Sequence, residues 1–501
     1  MTTSRRRFML TSLAASMAAT APWQLHAAGG PASALTDHDG LGLADLVRRK
    51  EVTPLELVEA TLERIAALNP PLNAVLTKLF DPEVARKRAQ SPLSGPFAGV
   101  PVMLKNLTEY KDADIDGGSR FNRLRVERNG RIDKVNSPFV DAMERAGMVV
   151  TGITSSPEFG LIETTEPLLH GATHNPWNLG RTCGGSSGGS GAAVAAGIVP
   201  IAHGNDGGGS IRVPASQCGV FGLKPTRARE LGSAGHDPLA ISSDLCLTRS
   251  VRDAAAFLAA VERRDDPVLP PVGFIADPDD RPLRIAFLLE GLSHQQPDAE
   301  VTRGLRTTAA LCEELGHRLE EVPLFIDGPE FFDAFIGLWS TFVPTVEAQV
   351  AEIFGAAVKP EDVLEPWTLG LGELAKSRGV EACLTRAQDV FARVTTAVEK
   401  LFQTYDVLLS PVMRTPPYEI GWHAPTVPFE TLLPRVIDDV PYTPLHNAAG
   451  TPAMSVPLHW TKDGLPVGSQ FAAWRGGDAM LLRLAYQLER AAPWAEHRPP
   501  V

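Results

Sequence analysis

Three segments of the 501-residue chain place reactive side chains beside glycines or at the end of an apolar run. The segment GVPVMLK, residues 99–105, ends on a lysine, and the segments at 184–190 and 206–215 combine serines with glycine runs. Because glycine lacks a Cβ atom, consecutive backbone N–H groups can turn toward one point and form an anion-binding nest. Such a nest could bind a phosphate or stabilise the oxyanion of a tetrahedral intermediate.

The phosphate alternative requires further residues around the glycines. A Walker-type loop has the pattern G-x-x-x-x-G-K-[ST], and a dinucleotide fold has G-x-G-x-x-G with an acidic partner for the ribose. Neither glycine run is followed by Gly-Lys-Ser/Thr, and no acidic residue stands at the ribose position. The glycine runs therefore favour acyl transfer.

Three serine mechanisms compete for that chemistry. Gly184 to Gly188 match the G-x-S-x-G nucleophile elbow, but an elbow follows a buried strand, and residues 174–183 are predicted to be a loop. The S-x-x-K pattern of β-lactamases is absent, since no lysine lies three residues after a serine. The remaining mechanism is a serine served by a buried lysine through a bridging serine, and it uses all three segments.

These segments resemble a known family. GVPVMLK, GGSSGGSGAAVAAG, DGGGSIRVPAS and CGVFGLKPT, within about residues 99–226, are similar to the amidase signature family of serine amidohydrolases, and the similarity continues at 405–411, 448–457 and 464–468. The resemblance implies a single large α/β/α domain over residues 35–501, with a mixed central β-sheet covered by helices. It also implies an enzyme without cofactor or metal that hydrolyses C–N bonds of carboxylic amides, other than peptide bonds, to an acid and an amine or ammonia.

The resemblance assigns a catalytic triad. Ser210 would be the nucleophile, Ser186 the bridging serine, typically on a cis peptide bond, and Lys105 the base. Serine is a weak nucleophile until a neighbour takes its proton. Lysine can take that proton only if burial lowers its pKa, and the apolar run before Lys105 predicts such burial. Ser186 would pass the proton on and later return it to the leaving amine.

The residues around the triad receive supporting roles. The resemblance implies an oxyanion hole made of the backbone N–H groups of Gly207, Gly208, Gly209 and Ser210. Asp206 and Arg212 are expected to brace this loop, and Ser187 is expected to support Ser186 by hydrogen bonding. His170, His174 and His203 lie near the motifs, but the mechanism needs no histidine, so we expect them to be structural.

Some positions depart from the common family pattern. Asn205 stands where the family commonly has Thr or Ser, Gly207 where it has Thr or a bulkier residue, and Asn106 where it has Asp. With the segments at 165–167 and 175–177, these departures resemble amidases acting on cyclic amides of the 6-aminohexanoate dimer kind. A cyclic-amide or carbamate hydrolase with the same triad is therefore one alternative. An amidotransferase subunit for aminoacyl-tRNA is another, which an export signal disfavours.

The patterning around the motifs predicts alternating helices and strands, as in an α/β fold. Thr53-Pro54 begins a helix that 69–71 should end, and strand 100–104 precedes helix 139–146 and strand 148–153. Downstream, the predicted elements are strand 283–289, a helix from Asp298 to Gly316, mostly helix over 325–405, strands 406–410 and 453–458, and helix 479–491. About 150 residues per domain would allow three domains, but no polar linker divides the chain, which favours one.

Composition limits the partners. The chain has 47 Lys and Arg against 59 Asp and Glu, a net charge of −12, which argues against a nucleic-acid partner. The expected partner is a small amide substrate, and a homodimer is possible. The five cysteines, Cys183, Cys218, Cys246, Cys312 and Cys383, lack zinc-ligand spacing and are expected to be buried thiols.

The N-terminus resembles a twin-arginine export signal. Arg5-Arg6-Arg7 precede an apolar stretch, Leu10 to Ala21, that is too short to span a bilayer. Small residues follow, and cleavage could fall after Ala27, Ala28 or Ala34. Residues 1–34 are therefore predicted to be the signal peptide and its cleavage region, and removal of the signal would leave a periplasmic or secreted enzyme with no stable membrane anchor.

Overall fold

The computed structural model describes residues 31–501, so the predicted export signal lies almost entirely outside the described residues and stays a prediction. The helices of the described part are α1 (Pro31–Asp37), α2 (Gly40–Arg48), α3 (Pro54–Leu72), α4 (Pro82–Gln90), α5 (Arg120–Asn129), α6 (Pro138–Arg145), α7 (Gly188–Ala195), α8 (Arg212–Cys218), α9 (Val251–Val261), α10 (Ala299–Glu314), α11 (Gly328–Ser340), α12 (Val343–Phe354), α13 (Pro360–Val363), α14 (Pro366–Arg378), α15 (Val380–Thr404), α16 (Phe429–Asp439), α17 (Pro444–Ala448) and α18 (Asp478–Ala491). The strands are β1 (Pro101–Lys105), β2 (Val149–Thr154), β3 (His174–Asn175), β4 (Asn178–Thr182), β5 (Ile201–Asp206), β6 (Phe221–Lys224), β7 (Ser243–Thr248), β8 (Arg284–Phe287), β9 (Arg318–Glu321), β10 (Val407–Pro411), β11 (Ala453–Trp460) and β12 (Pro466–Ala472).

Ten of these strands form one mixed sheet in the order β2-β1-β5-β7-β6-β11-β12-β10-β8-β9. The strands at both ends pair in parallel, whereas the pairs from β5 to β10 are antiparallel. Helices flank the sheet, and the main hydrophobic core includes buried residues of β1, β2, β5 and α9. This architecture confirms the α/β class predicted from the alternating helix and strand patterns.

The predicted elements around the motifs are confirmed with shifts of one or two residues at their ends. The five residues of β1 are all buried, which explains why this strand reads as a continuous apolar run. Helix α10 begins after Asp298, whose side chain accepts from the Glu300 N–H. The predicted helical stretch 325–405 contains α11 to α15.

Helix α3 is longer than predicted. The Thr53–Glu56 capping box begins it, but it continues through Pro70 and Pro71 to Leu72. The fixed φ of proline fits a helical turn, but the two missing N–H groups leave the carbonyls of Ala66 and Ala67 without their usual helical donors. Asn73, in the left-handed conformation, then ends the helix and donates its N–H to the Asn69 carbonyl oxygen.

The prediction of a loop at 174–183 is wrong in detail, because this segment contains the small hairpin of β3 and β4. Asparagine side chains shape its turn: Asn175 accepts from the Trp177 N–H at 3.0 Å, and Asn178 accepts from the Gly180 N–H at 2.9 Å. Most of β4 is exposed. No buried strand therefore leads into the serine turn at 184–188, and the argument against a nucleophile elbow is unaffected.

A second hydrophobic core is built by the helices after residue 325. It includes the buried aromatic side chains of Phe331, Phe335, Trp367 and Phe391, together with Leu432 of α16. All five cysteines are buried and unpaired, as predicted. None of the helices in residues 31–501 is both long and apolar enough to cross a membrane.

Candidate active site

Lys105 ends β1 in the middle of the molecule. Its side chain is fully buried, and its Nζ donates to Ser186 Oγ at 2.6 Å and to Asn205 Oδ1. Strand β1 pairs with β2 on one side and β5 on the other, and β5 carries Asn205. The sheet thus brings the lysine of the first motif to the serine of the second.

The electrostatics of Lys105 follow from this burial. Desolvation disfavours the charged ammonium and lowers the pKa of Lys105 to about 7, although Asp244 and Asp206 oppose the shift. An ordinary lysine is almost entirely protonated at neutral pH. With a pKa near 7, a large fraction of Lys105 is neutral and able to accept a proton.

Ser186 lies in the turn that precedes α7, and the Gly185–Ser186 peptide bond is cis. Gly185 is required by close packing, because a Cβ atom there would lie 2.6 Å from the Thr164 carbonyl oxygen. The next residue, Ser187, donates from its hydroxyl to the Asn205 carbonyl oxygen and from its N–H to the Ser210 carbonyl oxygen, both at 3.3 Å. Ser187 therefore ties the turn that carries Ser186 to the third motif.

Ser210 lies between the end of β5 and the start of α8, and only 8% of its surface is exposed. Within residues 31–501, the N–H groups of Gly207, Gly208 and Ser210 donate no hydrogen bond to the protein. The N–H of Gly209 differs, since it donates to Asp206 Oδ1 at 2.8 Å. Gly209 is therefore engaged in the loop, although the sequence prediction placed it among four oxyanion donors.

A buried ion pair holds this loop in shape. Arg212 donates to both oxygens of Asp206, at 2.9 Å from Nε and 2.8 Å from Nη2, and both side chains are fully buried. Burial would raise the pKa of Asp206, but the charge and hydrogen bonds of Arg212 outweigh it and hold that pKa well below its ordinary value. Asp206 also accepts from the N–H groups of Gly209 and Ile211, so the expected bracing role agrees with the geometry.

Two cavities meet at Ser210. The first is a narrow cavity of about 60 Å³, and its walls are mainly apolar. Besides Ser210, its lining includes Leu161, Ile162, Phe332, Phe335, Ile336, Trp339, Trp367, Val436, Ile437 and Val440. The second, a more open cleft, contains both Ser186 and Ser210 together with Asn205. We call them the apolar cavity and the serine cleft.

Comparison with known proteins places this geometry in a family. The family model described as Amidase matches residues 56–482. The chain belongs to the amidase family. It is 38% identical to the protein AmiC of Mycobacterium leprae (strain TN), over 94% of this chain and 98% of that protein. It is 35% identical to the 6-aminohexanoate-cyclic-dimer hydrolase of a Pseudomonas species (strain NK87), over 92% and 96% of the two chains.

Solved structures agree with that assignment. A structure of 6-aminohexanoate cyclic dimer hydrolase superposes with a TM-score of 0.83 at 34% identity, covering 92% of this chain and 98% of the other. The chain is therefore an amidase signature enzyme, a hydrolase of C–N bonds, with the single α/β fold of that family. The family resemblance read from the motifs is confirmed.

Several residues of the amidase site were not found from the sequence. Arg212 also donates to Asn447, Gln470 and the Thr443 carbonyl oxygen, and the Thr443 hydroxyl donates to the Gly208 carbonyl oxygen at 2.6 Å. These partners lie more than 200 residues after the loop and have no motif of their own.

The three histidines near the motifs make structural contacts. His203 bonds Thr108 through Nδ1 and Asp244 through Nε2, at 2.8 and 3.0 Å. His170 bonds Asp116, and His174 bonds the Leu179 carbonyl oxygen. No side-chain hydrogen bond joins them to Ser186 or Ser210 within the described part of the amidase.

The buried ion pair generates a stability prediction. Arg212→Met keeps the aliphatic stem but leaves Asp206 buried without its partner, so the free energy of unfolding should fall by about 3–5 kcal/mol. Urea unfolding followed by circular dichroism measures the change. In the control Arg490→Met, the lost ion pair with Asp277 is mostly exposed, and the loss should stay below about 1 kcal/mol. Equal losses in the two variants would contradict this role of Arg212.

Proposed function

We propose that this amidase cleaves its substrate through an acyl-enzyme on Ser210, with Ser186 as proton shuttle and Lys105 as base. The observation that carries the proposal is the buried contact of Lys105 Nζ with Ser186 Oγ at 2.6 Å, in the cleft that Ser210 also lines. A lysine with a pKa near 7 is matched to proton transfer at neutral pH. No other base is needed for the chemistry.

The reaction then proceeds in two halves. Ser210 Oγ attacks the carbonyl carbon while its proton moves to Ser186 and the Ser186 proton moves to Lys105. When the tetrahedral intermediate collapses, the C–N bond breaks, Ser186 gives a proton to the leaving nitrogen, and Lys105 restores the Ser186 proton. Water then attacks the Ser210 ester along the same proton route, releasing the acid and regenerating the serine.

The negative oxygen of each tetrahedral intermediate needs hydrogen-bond donors. The N–H groups of Gly207, Gly208 and Ser210 are free for this purpose, whereas Gly209 is engaged by Asp206. We therefore assign the oxyanion hole to the first three groups. Removing one such donor typically costs about 2.7–4 kcal/mol of transition-state stabilisation. The glycine at 209 serves conformation instead, since a Cβ atom there would lie 2.9 Å from Thr443 Cβ.

The two cavities separate the two halves of the substrate. Ser186 must reach the leaving nitrogen, and Ser186 lines the serine cleft but not the apolar cavity. The leaving amine therefore occupies the serine cleft, and the acyl group occupies the apolar cavity. We infer that the preferred substrates are amides of acids with an apolar chain or ring.

A cyclic-amide hydrolase is a second candidate. It is favoured by the 35% identity to the 6-aminohexanoate-cyclic-dimer hydrolase, which covers nearly the full length of both chains. In a cyclic amide the acyl and amine portions are joined, so both would remain in the site after the ring opens. Turnover of a cyclic diamide faster than that of its linear counterpart would favour this candidate over a linear-amide hydrolase.

The nucleophile can be tested directly. Ser210→Ala removes the only group assigned to form the acyl-enzyme, so kcat/KM for anilides and alkyl amides should fall by at least about 10³-fold. Hydrolysis is followed by chromatography, and circular dichroism verifies the fold. The wild type should also form a covalent adduct with a fluorophosphonate, detected by intact mass, and the variant should not. Near-full activity in Ser210→Ala would exclude the proposed mechanism.

The base has its own signature in pH dependence. Because Lys105 acts when neutral, kcat/KM of the wild type should rise about tenfold per pH unit below about 7 and level off above it. In Lys105→Ala, kcat/KM should fall about 10²–10⁴-fold, and the rise with pH below about 7 should disappear. The fall in kcat/KM should be largest for amides of basic alkylamines, because their leaving nitrogen needs protonation. Lys105→Arg is the control: it keeps a charge but cannot accept a proton. Retention of the limb in Lys105→Ala would assign it to another group.

The acyl assignment is tested with a series of amides that share one amine. Lengthening the acyl chain should raise kcat/KM by up to about fourfold per CH₂ group, which corresponds to about 0.8 kcal/mol of buried apolar contact. Lengthening the amine should have a smaller effect. Ile437→Asp puts a charge into the wall of the apolar cavity and should flatten the acyl series, whereas Ile437→Leu should preserve it. A rise confined to the amine series would reverse the assignment of the two cavities.

A further inference from the structure

Asn205 has one end of its side chain engaged and the other free. It lies on β5, where it pairs with Asp244 of β7, and its Oδ1 accepts from Lys105 Nζ. Its carbonyl oxygen accepts from the Ser187 hydroxyl at 3.3 Å. Backbone and side chain together therefore connect the strand, the serine turn and the lysine.

The amide nitrogen of Asn205 makes no such contact. Within residues 31–501, Asn205 Nδ2 donates no hydrogen bond to the protein. It is not one of the fully buried side-chain atoms that lack a partner, so it is at least partly accessible. Asn205 is half-buried and lines the serine cleft with Ser186 and Ser210. A carboxamide nitrogen carries two donor hydrogens, so the cleft has a donor with no protein acceptor.

The surroundings make this donor distinctive. The other side chains lining the serine cleft are apolar, apart from Ser186, Ser210 and Ser242. The apolar cavity, by contrast, does not include Asn205. A polar substrate group on the leaving-amine side therefore lies near Asn205, which is the principal amide donor of the serine cleft.

We propose that Asn205 is a positioning residue for Lys105 and also a specificity-determining residue for the leaving group. Its Oδ1 holds Lys105 Nζ toward Ser186, while its Nδ2 donates to an oxygen acceptor on the leaving amine. The acceptor is a carbonyl or carboxylate oxygen close to the amine nitrogen, as in an amino-acid amide or an amino acid. This inference rests on the proposed function, because the role of Ser186 is what places the leaving amine in the serine cleft.

The donor role is tested with three amides of hexanoic acid whose amines are glycinamide, glycine and isobutylamine. The measured quantity is kcat/KM for each acceptor-bearing amide divided by that for the isobutyl amide. Differences in intrinsic reactivity cancel when this ratio is compared between wild type and variant. In Asn205→Ala the ratio should fall roughly three- to tenfold, the value of one hydrogen bond. The glycinamide and glycine arms show whether the acceptor is a neutral carbonyl or a carboxylate.

The positioning role is tested by the pH profiles of kcat/KM for two variants. If Asn205 were merely structural, the two substitutions would not shift these profiles in opposite directions. Lys105 is already influenced by the carboxylates of Asp206 and Asp244, which both variants leave in place. Asn205→Asp adds a third negative charge, so the acidic limb of kcat/KM should move to higher pH. Asn205→Ala removes an acceptor of the charged ammonium, so the limb should move to lower pH.

Asn205→Asp also serves as the second variant for the donor role, because it keeps an oxygen for Lys105 but has no N–H. Its acceptor ratio should fall as in Asn205→Ala, and thermal unfolding verifies that both variants are folded. Unchanged ratios in both would overturn the donor role, and an unmoved acidic limb in both would overturn the positioning role. If these results occur while Ser210→Ala is inactive, only this inference fails; an active Ser210→Ala would remove the proposed function itself.

Discussion

The site depends on a lysine kept out of water. Taking an ammonium group from water into a protein interior costs free energy, and the group responds by losing its proton more readily. Lys105 can be held in this state because β1 is buried between β2 and β5 and because Ser186 and Asn205 supply its polar contacts. The same burial that makes the strand a good core element thus lowers the pKa of Lys105 to about 7, where a lysine can accept a proton at neutral pH.

The loop that carries Ser210 shows a second consequence of burial. A buried carboxylate is tolerated only with a good partner. Arg212 donates two hydrogen bonds to the Asp206 carboxylate, and Asn447 Nδ2 donates to the same carboxylate and to the Asp206 carbonyl oxygen. Asp206 in turn accepts from the N–H groups of Gly209 and Ile211, whereas those of Gly207, Gly208 and Ser210 have no protein acceptor within residues 31–501. The ion pair beneath the loop therefore determines which of its backbone N–H groups are engaged and which stay free.

Sequence reasoning could propose the reacting groups because they lie in local motifs. Lys105 at the end of an apolar strand, and serines among glycines, are visible as patterns of adjacent residues. Phe335 and Trp339 were not identified, since an aromatic residue on a helix that lines a cavity has the same pattern as one that fills a core. Thr443, Asn447 and Gln470 were missed because they reach the loop only through the folded sheet and its covering helices. The hairpin at 174–182 was missed because its exposed strands lack apolar alternation.

Asn205 illustrates the limit more sharply. Its residue type was readable as a departure from the common pattern, yet the sequence does not tell which end of a carboxamide faces the lysine and which faces the cleft. That orientation follows from the neighbouring strand β1, since Lys105 Nζ donates to Asn205 Oδ1 and thereby leaves the amide nitrogen on the other side. The groups assigned to the reaction lie within residues 105–210, whereas α11, α14 and α16 supply seven of the seventeen residues that line the apolar cavity. Under the proposed mechanism, substitutions in those helices alter the acyl group that fits without touching the proton route, while a change at Asn205 alters both the base and the choice of leaving group.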